Sequence, residues 1–320
     1  MSSSPPLSSG HLVGRITFAF LLDSIEIARG GAPAGGAYLV GDLLDNLIVI
    51  AVVQANTRAL MRDPELQRTY AAYDAPPPDE LRATRAVSVN ALAVSLRLPV
   101  STVRRRMAVL AKAGRVVVTP DGVYVPQATV NTPAHMAATA ANYDLLRRLY
   151  GRLRDLGILA APTGAAPAPD GPPPFRAALR LSTEYFLRAF ESVMEEVGGP
   201  MAVLILLGIL RANTEHLPDL PRRGGGQPDD FIPDADRRPI SAQALAQRLR
   251  LPRETVRRNV ARLVDAGECV RKAGGLIIPA ESQERPLSPL FAPANLASLN
   301  RMFAGLDELG VLAAWERERA

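Results

Sequence analysis

Two short arginine-containing runs have the same residues at the same spacing. The sequence Thr-Val-Arg-Arg occurs at 102–105 and again at 255–258, each time inside a helical pattern of apolar residues. A guanidinium group is planar and can donate two parallel hydrogen bonds, which suits a phosphate group or the edge of a guanine base. A helix that presents such arginines on its outward face is therefore predicted to bind a nucleic acid.

Both runs belong to a duplicated passage. Residues 85–126, called the first module, align with residues 238–279, the second module, at a constant offset of 153, and 20 of the 42 aligned positions are identical. Weaker matches extend the duplication, pairing 53–57 with 210–214 at an offset of 157 and Thr17 with Thr183 at an offset of 166. Each half is therefore expected to form one domain. The predicted order is a disordered tail (1–10), a first repeat (11–161), a Pro/Ala/Gly linker (162–175) and a second repeat (176–320).

Local patterns predict the same order of elements in each module. In the first module, Ser88 is a favoured N-cap residue for one helix, Pro99 begins the next, and Gly114 is expected to end it. Runs of β-branched residues on both sides of 119–122 predict a hairpin. This order is that of a winged helix-turn-helix. The predicted fold class is mainly α with small β-hairpin wings, arranged as two tandem winged helix-turn-helix domains with flanking helices.

Basic charge is concentrated in the modules. Residues 96–115 contain six basic and no acidic side chains, a net charge of +6, and residues 248–272 contain eight basic and three acidic ones, a net charge of +5. The whole chain carries +5, so the remainder carries 5 − 11 = −6. Net positive charge that is concentrated in the two modules indicates a binding surface for an anionic partner.

The helical wheel of the second helix of each module separates a buried face from an outward face. In the first module Ser101, Arg105 and Lys112 point outward, with Arg104 and Arg106 on the flanks. Arg105 is therefore predicted to read a guanine edge and Arg104 to contact phosphates. The second module is predicted to use Arg258 and Arg257 in the same two ways, beside an outward Glu254.

The segment Leu-Arg-Leu-Pro-x-x-Thr-Val-Arg-Arg, followed by Leu and by Ala-Gly, resembles the recognition segment of bacterial winged-helix regulators. The similarity is to the GntR family and to the cyclic-AMP receptor type, and the layout with long flanking helices is similar to a MarR-type protomer. The resemblance implies that residues at the start of the recognition helix reach bases. The full set of candidate DNA-binding residues is Val100, Ser101, Arg104, Arg105, Arg106, Lys112, Arg253, Glu254, Arg257, Arg258, Arg271 and Lys272.

Two departures from that family pattern concern the turn between the helices. Arg97 and Arg250 stand where those families have a glycine, so these arginines are expected to adopt a strained left-handed conformation or to change the shape of the turn. Pro99 and Pro252 stand where a serine is usual, which removes one hydroxyl contact to phosphate.

Composition argues against several other classes of protein. The single cysteine, Cys269, excludes a disulfide framework within the chain, and the three histidines lack metal-ligand spacing. The apolar stretches 43–55 and 201–212 are shorter than the about 20 residues that cross a membrane, so they are expected to be buried helices. No enzyme motif, cofactor or metal is predicted. Because the N-terminus lacks a signal-peptide pattern, the expected location is the cytoplasm, on the nucleoid.

The leading prediction is a sequence-specific transcriptional regulator that reads an imperfect repeat in double-stranded DNA with two recognition helices per chain. A plasmid-type replication initiator also uses tandem winged helices and remains an alternative. A protein-interaction scaffold is the alternative from a different class, and its helices need no arginine-rich face. A homodimer is compatible with the sequence, and the identity of any small-molecule effector is left open.

Overall fold

The computed structural model describes residues 10–31, 42–164, 166–219, 232–280 and 287–319. Within these ranges the chain is mainly helical, and its strands form two small antiparallel hairpins. The coarse prediction of a mainly α protein with β-hairpins is confirmed. The predicted disordered tail lies outside the described residues, apart from residue 10.

The first half begins with a long helix, continues through the first module and ends with a second long helix. They are α1 (Gly10–Glu26), α2 (Leu43–Thr57), α3 (Pro64–Thr69), α4 (Asp79–Ala83), α5 (Val89–Ser95), α6 (Val100–Lys112), β1 (Val117–Thr119), β2 (Gly122–Tyr124) and α7 (Pro133–Asp155).

The second half repeats this order with small differences. Its elements are α8 (Phe175–Val197), α9 (Pro200–Thr214), α10 (Ala242–Leu249), α11 (Arg253–Asp265), β3 (Val270–Lys272), β4 (Gly275–Ile277), α12 (Leu287–Glu308) and α13 (Val311–Arg319). The predicted linker, residues 162–175, contains no helix or strand among its described residues up to Pro174.

Each module forms helix, turn, helix and hairpin as predicted. Ser88 and Ser241 cap the first helix, because their hydroxyl oxygens accept hydrogen bonds from the main-chain N–H groups of Ala91 and Ala244, both at 3.1 Å. The second helix begins directly after Pro99 or Pro252, which are the residues before the first helical position rather than part of the helix. Local sequence therefore determines the order of elements in the modules.

The turn between the two helices is left-handed in both modules. Arg97 has φ 49° and Arg250 has φ 51°, and they are the described non-glycine residues with positive φ. A side chain in this conformation costs roughly 1–2 kcal/mol relative to glycine. The predicted left-handed strain at the two arginines is thus confirmed, and the turn keeps the shape that a glycine would give it.

Each hairpin pairs with a third short segment. Val87 exchanges two hydrogen bonds with Val123, at 3.0 and 2.9 Å, and Ile240 does the same with Leu276, at 3.1 and 2.8 Å. Glycine is required beside this contact, because a Cβ added at Gly122 would lie 2.7 Å from the carbonyl oxygen of Val87. The close approach fixes the hairpin to the segment that precedes the first helix of the module.

A buried asparagine fastens the helix before each module to the hairpin. The side chain of Asn56 in α2 donates to the carbonyl of Arg85 at 2.9 Å and accepts from the N–H of Val125 at 3.0 Å. Asn213 in α9 makes the equivalent bonds to Arg238 and Ile278, at 2.8 and 3.0 Å. Because both amides are almost fully buried, each satisfies main-chain groups that water cannot reach.

Contacts divide the chain into two compact units whose boundaries differ from the predicted repeats. The described residues of the unit that contains the first module fall within 23–148, 161–188 and 299–320. Those of the unit that contains the second module fall within 1–22, 149–160 and 189–298. The sequence predicts one domain per repeat, with the boundary at the linker. The contact-based division differs from that prediction because helices α1, α7, α8 and α12 each contribute residues to both units.

Segments of both repeats meet inside each unit. In the first-module unit, the indole Nε1 of Trp315 donates to the hydroxyl of Tyr143 at 3.0 Å. In the second-module unit, the guanidinium of Arg15 donates to Asp219 at 2.8 Å. These pairs are 172 and 204 residues apart in the chain, so local patterns gave no indication of them.

Among the described residues, no single helix has the length and apolar character needed to cross a membrane. One pair, Phe175–Val197 with Pro200–Thr214, meets that requirement only when its members are taken together across a 98° bend.

Candidate nucleic-acid interface

Helix α6 presents its basic residues on the face opposite its buried side. Val103, Met107 and Leu110 are at most 3% exposed and pack in the core of the first-module unit. The exposed residues of the helix include the predicted contacts Val100, Ser101, Arg104, Arg105 and Lys112. The helical wheel therefore assigned these side chains to the correct face.

Helix α11 has the same arrangement in the other unit. Val256, Val260 and Leu263 are buried, and the structure leaves the predicted contacts exposed. These exposed side chains are Arg253, Glu254, Arg257 and Arg258 on the helix and Arg271 and Lys272 on the hairpin.

Arg106 is the predicted contact that the structure places differently. Its Nη1 donates to Asp42 at 2.6 Å and to Asp45 at 2.8 Å, and its side chain is only 18% exposed. Burial alone would lower the pKa of Arg106, but the hydrogen bonds to Asp45 and Asp42 outweigh it and raise the pKa. The charge of Arg106 is therefore used to attach α6 to the start of α2.

The sequence indicates one part of this attachment, the pair of acidic residues at the start of α2. Asp42 and Asp45 form a capping box at the start of α2, in which Asp42 accepts from the main-chain N–H of Asp45 at 3.1 Å. Two acidic residues three apart before an apolar run predict such a cap. Nothing in the local pattern indicates that Arg106, 61 residues later, completes the cluster. In the second module the equivalent residue is Asn259, which is buried and donates to the carbonyl of Thr255.

An ion pair on the outward face distinguishes the second module from the first. Arg257 donates to both carboxylate oxygens of Glu254, at 2.7 and 2.8 Å. Hydrogen bonding to Arg257 lowers the pKa of Glu254, so the carboxylate is charged at neutral pH. In the first module the equivalent pair is Ser101 and Arg104, so that pair contains no acidic side chain.

The two hairpins carry different charges. Arg271 and Lys272 are exposed on β3, and the Nζ of Lys272 lies 4.0 Å from a carboxylate oxygen of Asp234. The equivalent residues of β1 are Val118 and Thr119, and Val118 is 56% exposed. Positive charge on the hairpin is thus a property of the second module.

Exposed valines are confined to the first module. The large hydrophobic residues that the described structure leaves exposed are Val94, Val100, Val109 and Val118. At the offset of 153, the second module has glutamine or arginine at every equivalent position. These residues are Gln247, Arg253, Arg262 and Arg271. The outward surface of the first module is therefore more apolar than that of the second.

No group of three or more His, Cys, Asp or Glu side chains in the described ranges is placed to hold a metal ion. Cys269 is buried at the position that Val116 occupies in the first module, and burial raises the pKa of its thiol to about 11. Comparison of the chain with protein-family models, with curated proteins and with solved structures gives no match.

Proposed function

We propose that the protein is a sequence-specific double-stranded-DNA-binding transcriptional regulator, in which each module is a winged helix-turn-helix. Helices α6 and α11 are the recognition helices of this proposal, and the hairpins β1–β2 and β3–β4 are the wings. Each recognition helix enters a major groove and reads one half-site. The chain itself thus supplies two readers for one imperfect repeat.

The repeated geometry of the modules is the observation that carries this proposal. Both modules keep a left-handed arginine in the turn, a third segment paired with the hairpin, and a second helix that buries three apolar residues. Both also leave two adjacent arginines exposed on that helix. A solvated face has no reason to keep the same arginines at the same register, whereas a groove-binding face does.

The half-sites of the proposed repeat are unequal. Val100 at the start of α6 is 37% exposed, and an apolar side chain there suits the methyl group of a thymine. Arg253 stands at the equivalent position of α11 and suits a guanine or a phosphate. We therefore assign a more A·T-rich half-site to the first module.

The test is equilibrium binding of the full chain to duplex DNA over a range of salt concentrations. Several phosphate contacts predict a loss of about 10³-fold in affinity between about 50 and 200 mM salt. The double variant Arg104→Ala/Arg105→Ala is expected to weaken binding. Arg188→Ala, which removes an exposed arginine of α8 outside the modules, is the matched control and is expected to leave binding unchanged. Affinity that does not depend on salt would refute the proposal.

The exposed valines of the first module favour a second candidate, a protein-interaction scaffold. An apolar patch is a feature of protein contacts, although four single valines are also compatible with an ordinary surface. If the protein is a scaffold, it shows no salt-dependent DNA binding, and Val109→Arg, which copies Arg262 of the second module, abolishes binding of its protein partner. If the protein binds DNA, the same variant retains DNA binding.

A further inference from the structure

A cavity of about 90 Å³ lies inside the first-module unit. Its walls come from α2, from the start of α7, and from the segments at 24–28 and 129–130, together with α8 of the second repeat. The lining is mostly apolar, with Ala28, Val49, Ile50, Val53 and Phe186 among its residues. Arg180 is the cationic side chain of the lining.

Arg180 is buried without a carboxylate partner among the described residues. It is 6% exposed, and its guanidinium donates to two main-chain carbonyls, those of Tyr70 at 2.9 Å and Gln67 at 3.4 Å. Its Nε is buried and donates no hydrogen bond. Burial, together with the nearby charges of Arg176 and Arg82, lowers the pKa of Arg180 to about 9, so the group remains a cation at neutral pH.

The duplication distinguishes Arg180 from two other buried arginines of the chain. Buried Arg82 has a counterpart in the second repeat, Arg237, and each donates from Nε to a main-chain carbonyl five residues earlier, at 3.0 Å. Arg180 aligns instead with Gly14, at the offset of 166 that pairs Thr183 with Thr17. A buried cation without a carboxylate partner costs desolvation energy, and a bound anion would offset that cost.

We propose that the cavity binds a short-chain aliphatic carboxylate, with its carboxylate on Arg180 and its alkyl chain against Val49, Ile50 and Val53. The anion supplies the negative charge that Arg180 lacks. Thr183 also lines the cavity, and in this assignment its hydroxyl donates to the carboxylate. A cavity of about 150 Å³ accommodates benzene, so the smaller volume here selects a chain of few carbons.

Helix α2 gives this site a connection to the rest of the unit. Val49 lies in the wall of the cavity and also in the apolar core that contains Val103 and Met107 of α6. An occupant of the cavity therefore contacts the helix on which α6 packs.

The test is calorimetric titration of the full chain with acetate, butyrate, hexanoate, benzoate and butyramide. Saturable binding is expected, strongest for butyrate and at least tenfold weaker for the uncharged butyramide, since a charged hydrogen bond is lost. Arg180→Gln is expected to weaken butyrate binding by at least about tenfold, with Arg188→Gln on the exposed face of α8 as the control that retains it. No binding of any carboxylate, or equal affinity for butyrate and butyramide, would overturn the assignment.

A second variant covers the case in which Arg180→Gln fails to fold, because Arg180 also binds the carbonyls at the end of α3. Ala28→Leu leaves Arg180 in place and adds volume inside the cavity, where Ala28 is 5% exposed. The assignment expects this variant to lose butyrate binding, and unchanged affinity would contradict it. Since no DNA is present in either titration, the result is independent of the proposed function.

Discussion

Glu254 and Arg257 form a bidentate ion pair on the outward face of α11, with distances of 2.7 and 2.8 Å. Both side chains are well exposed, so the pair is weak as a contribution to stability. Its effect is on charge, because it neutralises an arginine that the proposed function assigns to phosphates. The equivalent pair in the first module, Ser101 and Arg104, contains no acidic side chain, so Arg104 is not neutralised in this way.

Replacing Glu254 by serine copies the first module and releases Arg257. DNA affinity is expected to rise, and the slope of log K against log salt concentration to become steeper by about one, as measured by fluorescence anisotropy. The reciprocal variant Ser101→Glu should lower the affinity and flatten the slope. If both variants bind DNA as the unmodified chain does, the pair does not control the charge at the interface.

Arg105 and Arg258 should determine base preference, each in one half-site. Arg105→Ala and Arg258→Ala are each expected to cost about 1–3 kcal/mol of binding free energy and to relax the preference at one position. Arg104→Ala should instead weaken all sequences alike, since phosphate contacts carry no base information. Selection of bound sequences from random DNA measures both effects, and unchanged profiles for Arg105→Ala and Arg258→Ala would contradict the assignment of the faces.

Arg106 should act on stability and not on sequence preference. Arg106→Asn, which introduces the residue of the second module, is expected to lower the free energy of unfolding by about 1–3 kcal/mol. The variant breaks the hydrogen bonds from Arg106 to the largely buried Asp45 and to the more exposed Asp42. Urea denaturation, followed by the fluorescence of Trp315, measures this loss. Trp315 is the single tryptophan and belongs to the same compact unit as Arg106. The control Arg105→Ala should leave the midpoint unchanged, and an equal loss in the two variants would refute the structural role.

His135 should make the first-module unit less stable in mild acid. Burial, and then the charges of Arg176 and Arg82, lower the pKa of His135 to about 3. The folded pKa lies below the unfolded value of about 6.5. The stabilisation is therefore fully present above about pH 6.5 and is lost as the pH falls toward the folded value.

The corresponding measurement compares urea denaturation at pH 7 and at pH 5.5. The unmodified chain is expected to lose about 1 kcal/mol more than His135→Gln does between these two pH values, since glutamine takes up no proton. Equal losses in the two proteins would show that another group carries the pH dependence.

The modules were predictable because their determinants are local. The caps at Ser88 and Ser241, the left-handed turns at Arg97 and Arg250 and the glycine at the hairpin each depend on a few neighbouring residues. The outward position of Arg105 follows in the same way from helical spacing. These features recur in both halves, so each half served as a check on the other.

What the tertiary structure decided concerns pairs of residues that are far apart in the chain. Arg106 has the same local pattern as Arg104 and Arg105, and only its distance to Asp42 and Asp45 gives it a different role. Asn56 and Asn213 were visible as identical residues, but their partners in the hairpins were not. The division of α1, α7, α8 and α12 between the units, and the burial of Arg180 beside a cavity, also arise from long-range packing. Helical periodicity states which face of a helix is apolar, and it contains no information about which distant segment covers that face.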